Sequence, residues 1–70
     1  MEISYDPDTD SIDIKFQKAR YAVSEEVAEG VIVDYTEDGG LISIEILDAS
    51  KRMPKESITD ILVRLPQSAA

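Results

Sequence analysis

The side chains that could do chemistry in this 70-residue chain are nearly all carboxylates. There is no Cys and no His, so thiol nucleophiles, imidazole bases and the softer metal ligands are excluded at the outset. Three groups of acids stand out. Asp6-Pro7-Asp8-Thr9-Asp10 places acids at alternate positions, as a calcium loop does when it opens. Such a loop next needs Gly for its sharp turn and later a bidentate Glu, where this chain has Ser11 and Gln17. A hairpin turn explains the stretch better, since Pro7 presets its φ and the Asp side chains can bond nearby backbone N–H groups.

The second group is Glu25, Glu26, Glu29 and Asp34. Paired carboxylates can divide acid and base work, but only where burial separates their pKa values. Glu25 and Glu26 are adjacent, so on a strand they point to opposite faces. No nucleophile–base pair accompanies them. A solvated acidic face is the expectation, and no enzyme activity. The third group is Glu45 with Asp48-Ala49-Ser50-Lys51-Arg52. Asp48 and Ser50 can satisfy backbone donors where a strand ends. Lys51 and Arg52 can pair with Asp34 or Glu45. Equally, this exit corner can serve as a recognition surface, since loops carry function. The residues assigned to a candidate interaction surface are therefore Glu25, Glu26, Glu45, Asp48, Ser50, Lys51 and Arg52. No catalytic, cofactor-binding or metal-binding residue is assigned.

The elements that position these groups can be read from periodicity. Ile3 and Tyr5 alternate with polar neighbours, and Ile12, Ile14 and Phe16 do the same after the Asp-rich turn. That is the alternation of a sheet with one dry and one wet face. Tyr21 and Val23 alternate too, with a bulge or strand end expected near Ser24 because Glu25 would continue their face. Val31-Ile32-Val33-Asp34-Tyr35 and Leu41-Ile42-Ser43-Ile44-Glu45-Ile46-Leu47 flank Glu37-Asp38-Gly39-Gly40. The glycines supply the positive φ of a tight hairpin. Setting Val31, Val33 and Tyr35 on the side of Ile42, Ile44 and Ile46 fixes the register, because a slip of one residue would bury Glu45 and Asp34.

Beyond Met53 the period changes. Ile58, Ile61, Leu62 and Leu65 fall on one face of a helix over residues 54–65, with Pro54 at its start, Ser57 as an N-cap and Pro66 as its stop. A last strand through Ile61-Leu62-Val63 is the competing reading. The expected fold is α+β, an antiparallel β-meander of four to five strands with one C-terminal helix covering the apolar face. It forms a single domain over residues 1–66, with a frayed end at 67–70.

Ile3-Ser4-Tyr5-Asp6-Pro7-Asp8, Glu25-Glu26-Val27, Gly30-Val31-Ile32-Val33-Asp34-Tyr35 and Ile44-Glu45-Ile46-Leu47-Asp48-Ala49-Ser50-Lys51-Arg52 together resemble the domain-of-unknown-function family numbered 2283. The resemblance covers residues 1–52. It implies a short bacterial or archaeal protein without a recognised catalytic motif, in a family sometimes linked by gene neighbourhood to toxin–antitoxin pairs.

Charge and size narrow the partners. The net charge is −8, with five acids and no base in residues 1–13 and eight acids and no base in residues 25–48. Such a surface repels phosphate backbones, so no nucleic acid is expected, and any charge-steered partner should be basic. A chain this short buries only about 60% of its unfolded surface and needs a staple. Without cysteines, oligomerisation is the staple that remains, and a homodimer or higher assembly is expected. No apolar run approaches the roughly 18 residues of a membrane helix. The expectation is a cytoplasmic protein-interaction module without a cofactor, a homo-oligomer or a binder of a basic partner, and antitoxin-like in the latter case. The alternative is a carboxylate-based binder of a metal ion or small ligand.

Overall fold

The computed structural model describes residues 1–64. The chain forms β1 (Glu2–Asp6), β2 (Ser11–Lys15), β3 (Val23–Ala28), β4 (Val31–Tyr35), β5 (Leu41–Ile46), α1 (Ala49–Arg52) and α2 (Lys55–Thr59). All five strands join one antiparallel sheet in the order β1-β2-β5-β4-β3. The α+β class and the five strands are as expected. The order refines the meander: β3, β4 and β5 follow one another, but β5 then inserts beside β2 instead of leaving β2 next to β3. Composition explains the placement. β5 carries Ile42, Ile44 and Ile46 and belongs in the sheet's interior, whereas β3, with Glu25 and Glu26, is the more polar strand and suits an edge.

The expected registers are present except at the end of β4, where the ladder shifts between Asp34 and Tyr35 and sets Tyr35 opposite Leu41, skipping Ile42. Ile3 faces Ile14 and Tyr5 faces Ile12, while Val31 faces Ile46 and Val33 faces Ile44. β2 joins the two hairpins through Ile12 opposite Ile46 and Ile14 opposite Ile44. One face thus collects Ile3, Tyr5, Ile12, Ile14, Val31, Val33, Ile44 and Ile46. The other collects Ser4, Asp13, Lys15, Ser24, Glu26, Asp34, Ser43 and Glu45. The bulge in β3 lies at Val27, between Glu26 and Ala28, three residues beyond the position expected near Ser24. Gly30 (φ 74) and Gly39 (φ 88) occupy the left-handed positions of the two tight turns.

The helical expectation is met only in part. α2 ends at Thr59, its first residue follows Pro54, and Ser57 lies inside it without capping it. Asp60 is extended (φ −136, ψ 91), and Ile61, Leu62 and Val63 are exposed beyond it. A five-residue helix has too few hydrogen bonds to persist without packing, and β-branched Ile61 and Val63 disfavour its extension. Neither the helix over 54–65 nor a paired last strand forms in the described part of that stretch. Leu65, Pro66 and the frayed end at 67–70 lie outside the described residues.

Among the described residues neither helix makes extensive contact with a strand, although Ala49 of α1 is fully buried at the sheet's end. The apolar sheet face is therefore thinly covered. Ile12, Val33 and Ile42 are buried, but Ile3, Ile14, Ile44 and Ile46 remain half-buried. The radius of gyration is 13.8 Å, against about 11 Å for a compact chain of this length. The molecule exposes 5636 Å², where a compact monomer of its mass would expose about 4300 Å². Extents of 38 × 35 × 19 Å describe a slab.

Candidate functional site

The exit corner is built by short-range turn chemistry. β5 ends at Ile46, and Asp48 then adopts a left-handed conformation (φ 52) that starts α1. The Ala49 N–H donates to the Asp10 carbonyl at 2.8 Å, which sets α1 against the β1–β2 turn. Asp10 is itself left-handed (φ 53), a conformation Asp tolerates better than most residues. Its carboxylate accepts from the Tyr5 hydroxyl at 2.7 Å, from the Ser50 hydroxyl at 2.7 Å and from the Ser50 N–H at 3.2 and 3.3 Å. These bonds favour the ionised form. The Ser50 hydroxyl and then the Tyr5 hydroxyl hold the Asp10 carboxyl below the usual Asp value, helped by the charge of Lys51. In return, the bond to Asp10 raises the Tyr5 phenol above its usual value.

At the other side of the same sheet end, Arg52 donates from Nη2 to the Glu29 carbonyl. The Gly30 N–H donates to the Glu26 carboxylate at 3.0 Å, and the Leu47 N–H to the Gly30 carbonyl at 2.8 Å. α1 thus ties the β1–β2 turn to the β3–β4 turn across the sheet's end. Three expectations are corrected here. The Ser50 hydroxyl donates to the Asp10 carboxylate and does not satisfy a backbone donor. Asp48 makes no capping bond through its side chain. Arg52 bonds a backbone carbonyl and does not pair with Asp34 or Glu45, because the turn lies nearer than the middle of the sheet.

The candidate surface does not come together as one patch. Glu25 lies opposite Val33 on the apolar side, while Glu26 and Glu45 lie on the polar side, with Ile32 between them. Asp48, Ser50, Lys51 and Arg52 stand at the sheet's end. Sequence reasoning missed the role of Asp34. It accepts hydrogen bonds from Ser24 of β3 and, at 2.9 Å, from Ser43 of β5, so one carboxylate staples three strands. The signal was present in the spacing, since Ser24, Asp34 and Ser43 are register partners. Asp13 and Glu45 also lie directly opposite one another on this face. Like charges so placed disfavour the pair.

The Asp-rich stretch is a turn: the Asp8 N–H donates to the Asp6 carboxylate at 2.9 Å. Among the described residues, no group of three or more acidic, His or Cys side chains is placed to hold a metal ion. An open cleft of ≈ 610 Å³ lies at the far end of the sheet, lined by Arg20, Tyr21, Ala22, Thr36, Glu37 and Asp38. Asp38 there accepts from the Thr36 hydroxyl, which with backbone N–H groups holds its carboxyl below the usual value. That bond belongs to the β4–β5 turn.

A family described as a protein of unknown function (DUF2283) matches residues 2–50. The chain belongs to this family. The DUF2283 match spans all five strands and ends on Ser50, the residue that clamps Asp10. Searches of curated proteins and of solved structures find no match. Among the described residues, no helix is long and apolar enough to cross a membrane.

Proposed function

We propose that this DUF2283 chain is a non-enzymatic protein-interaction module that works as a homo-oligomer. The observation that carries the reading is the thinly covered apolar face of the sheet. Half-buried Ile14, Ile44 and Ile46 sit on interior strands, where a finished core would bury them. A second copy supplies the missing layer without any new chemistry. Sedimentation equilibrium from low to high micromolar concentration tests this. A reversible dimer or larger assembly is expected, and a monomer throughout refutes it.

A second reading, a basic protein partner, draws on the net charge and on the Asp13–Glu45 pair. A cationic side chain seated between those carboxylates would relieve their repulsion. Capture from native lysate on wild-type protein should then exceed capture on an Asp13→Asn, Glu45→Gln variant, and equal capture removes that reading. The carboxylate cation-binder alternative has less support, since no third ligand joins Asp13 and Glu45.

A further inference from the structure

We propose that residues Ile61–Val63 of one copy add as a strand to the free edge of β3 in a second copy, the exchange being reciprocal. This rests on the homo-oligomer reading and specifies its contact. Three consecutive apolar residues stand in water: Ile61 is 51%, Leu62 73% and Val63 71% exposed. Their backbone follows extended Asp60 and joins no strand among the described residues. Two of the three are β-branched, the composition that suits a pleated strand.

The sheet offers two free edges, β1 and β3. β3 is the better acceptor. All six of its residues are exposed, and Val23 (50%) and Val27 (51%) present apolar side chains beside a row of unpaired backbone groups. The bulge lies at its far end and leaves Val23–Glu26 regular. On β1, by contrast, the Tyr5 hydroxyl is already committed to Asp10. Charge agrees with the choice. β3 itself carries Glu25 and Glu26 and no base, while the segment around Ile61–Val63 carries Lys55 and Arg64 against Glu56 and Asp60; Arg52 is already held at the Glu29 carbonyl of its own chain.

Geometry supplies the side-chain pairing. In an extended segment Ile61 and Val63 share a side and Leu62 takes the other. Placed beside β3, Ile61 and Val63 continue the apolar face that carries Val33 and Ile44. Backbone hydrogen bonds would supply affinity and the alternating side chains specificity, as in other strand additions. A two-fold axis makes each copy both donor and acceptor.

The chain has no cysteine, so single thiols report contacts cleanly. A Val63→Cys chain is mixed with a Val23→Cys, Val27→Cys or Ile3→Cys chain, and each mixture is oxidised gently. Mixed disulfides with the β3 thiols, in excess over those with Ile3→Cys on β1, are expected. In parallel, Val63→Pro removes a backbone donor from a residue that is 71% exposed and lies outside every described strand and helix, so its melting temperature when dilute should match wild type. Its dimer dissociation constant should rise at least about tenfold, the loss of roughly 1.4 kcal/mol. A wild-type dimer whose affinity V63P leaves unchanged, or whose cross-links favour β1, overturns strand addition and leaves the homo-oligomer standing. A wild type that is monomeric throughout overturns both.

Discussion

Two aspartates in the same left-handed conformation, Asp10 and Asp48, serve different ends. The Asp48 side chain makes no capping bond, so the residue carries conformational strain without a compensating contact. Asp48→Gly should therefore stabilise the fold by up to about 1 kcal/mol, read as a higher denaturation midpoint. Asp10→Gly relieves the same strain but deletes the acceptor for Ser50 and Tyr5, and it should lower the midpoint. The pH profile separates them further. The Asp10 carboxyl titrates lower folded than unfolded, so its contribution is complete above the ordinary Asp value of 3.8 and is lost as pH falls through the depressed folded value. Tyr5 runs the other way: its raised phenol contributes fully below 10.0 and the contribution is lost as pH rises through the folded value. Asp10→Asn should flatten the acid limb of a stability–pH curve, and Tyr5→Phe the alkaline limb. Unchanged limbs would mean these bonds do not persist in solution.

At the level of elements, the hairpins were legible because period-two alternation and turn glycines specify them locally. Gly39 needs φ 88 with open space around the position, so Gly39→Ala should cost about 1 kcal/mol through backbone strain alone. Ile12→Val, in the buried part of the sheet, should cost about 0.5–1.5 kcal/mol. Thermal melting checks both. The insertion of β5 beside β2 was not legible, because nothing local distinguishes that neighbour from β3; only the greater apolarity of β5 hints at it. The helix over 54–65 failed for the opposite reason. Its period was correct, but a period is stable only against a surface, and the described chain leaves Ile61 and Leu62 without one. At the candidate site, the structural roles of Ser50 and Asp34 were within reach of sequence reasoning. The Arg52 contact was not, because its partner is a backbone carbonyl that carries no residue signature.

The whole molecule is a thin acidic slab, and its size and charge pull against each other. Too little core favours association, while −8 on each copy opposes it at long range. Screening should decide the balance. Raising salt from about 50 mM to about 500 mM shortens the Debye length from over 10 Å to a few Å and should tighten the oligomer. Light scattering at fixed protein concentration reads this directly. Dissociation on adding salt would show that local acid–base pairs outweigh the global repulsion.

The bonds between Ser50 and Asp10 close a loop of 40 positions. Contacts so distant in sequence pay their loop-closure entropy late in folding, after the hairpins have formed. The clamp should then be missing from the transition state and act as a brake on leaving the native state. Ser50→Ala would open the molecule faster while it folds at nearly the parental rate, and stopped-flow unfolding and refolding limbs would separate the two. On that view, the corner where the DUF2283 match ends governs how long each molecule survives between unfolding events, more than how quickly it is made.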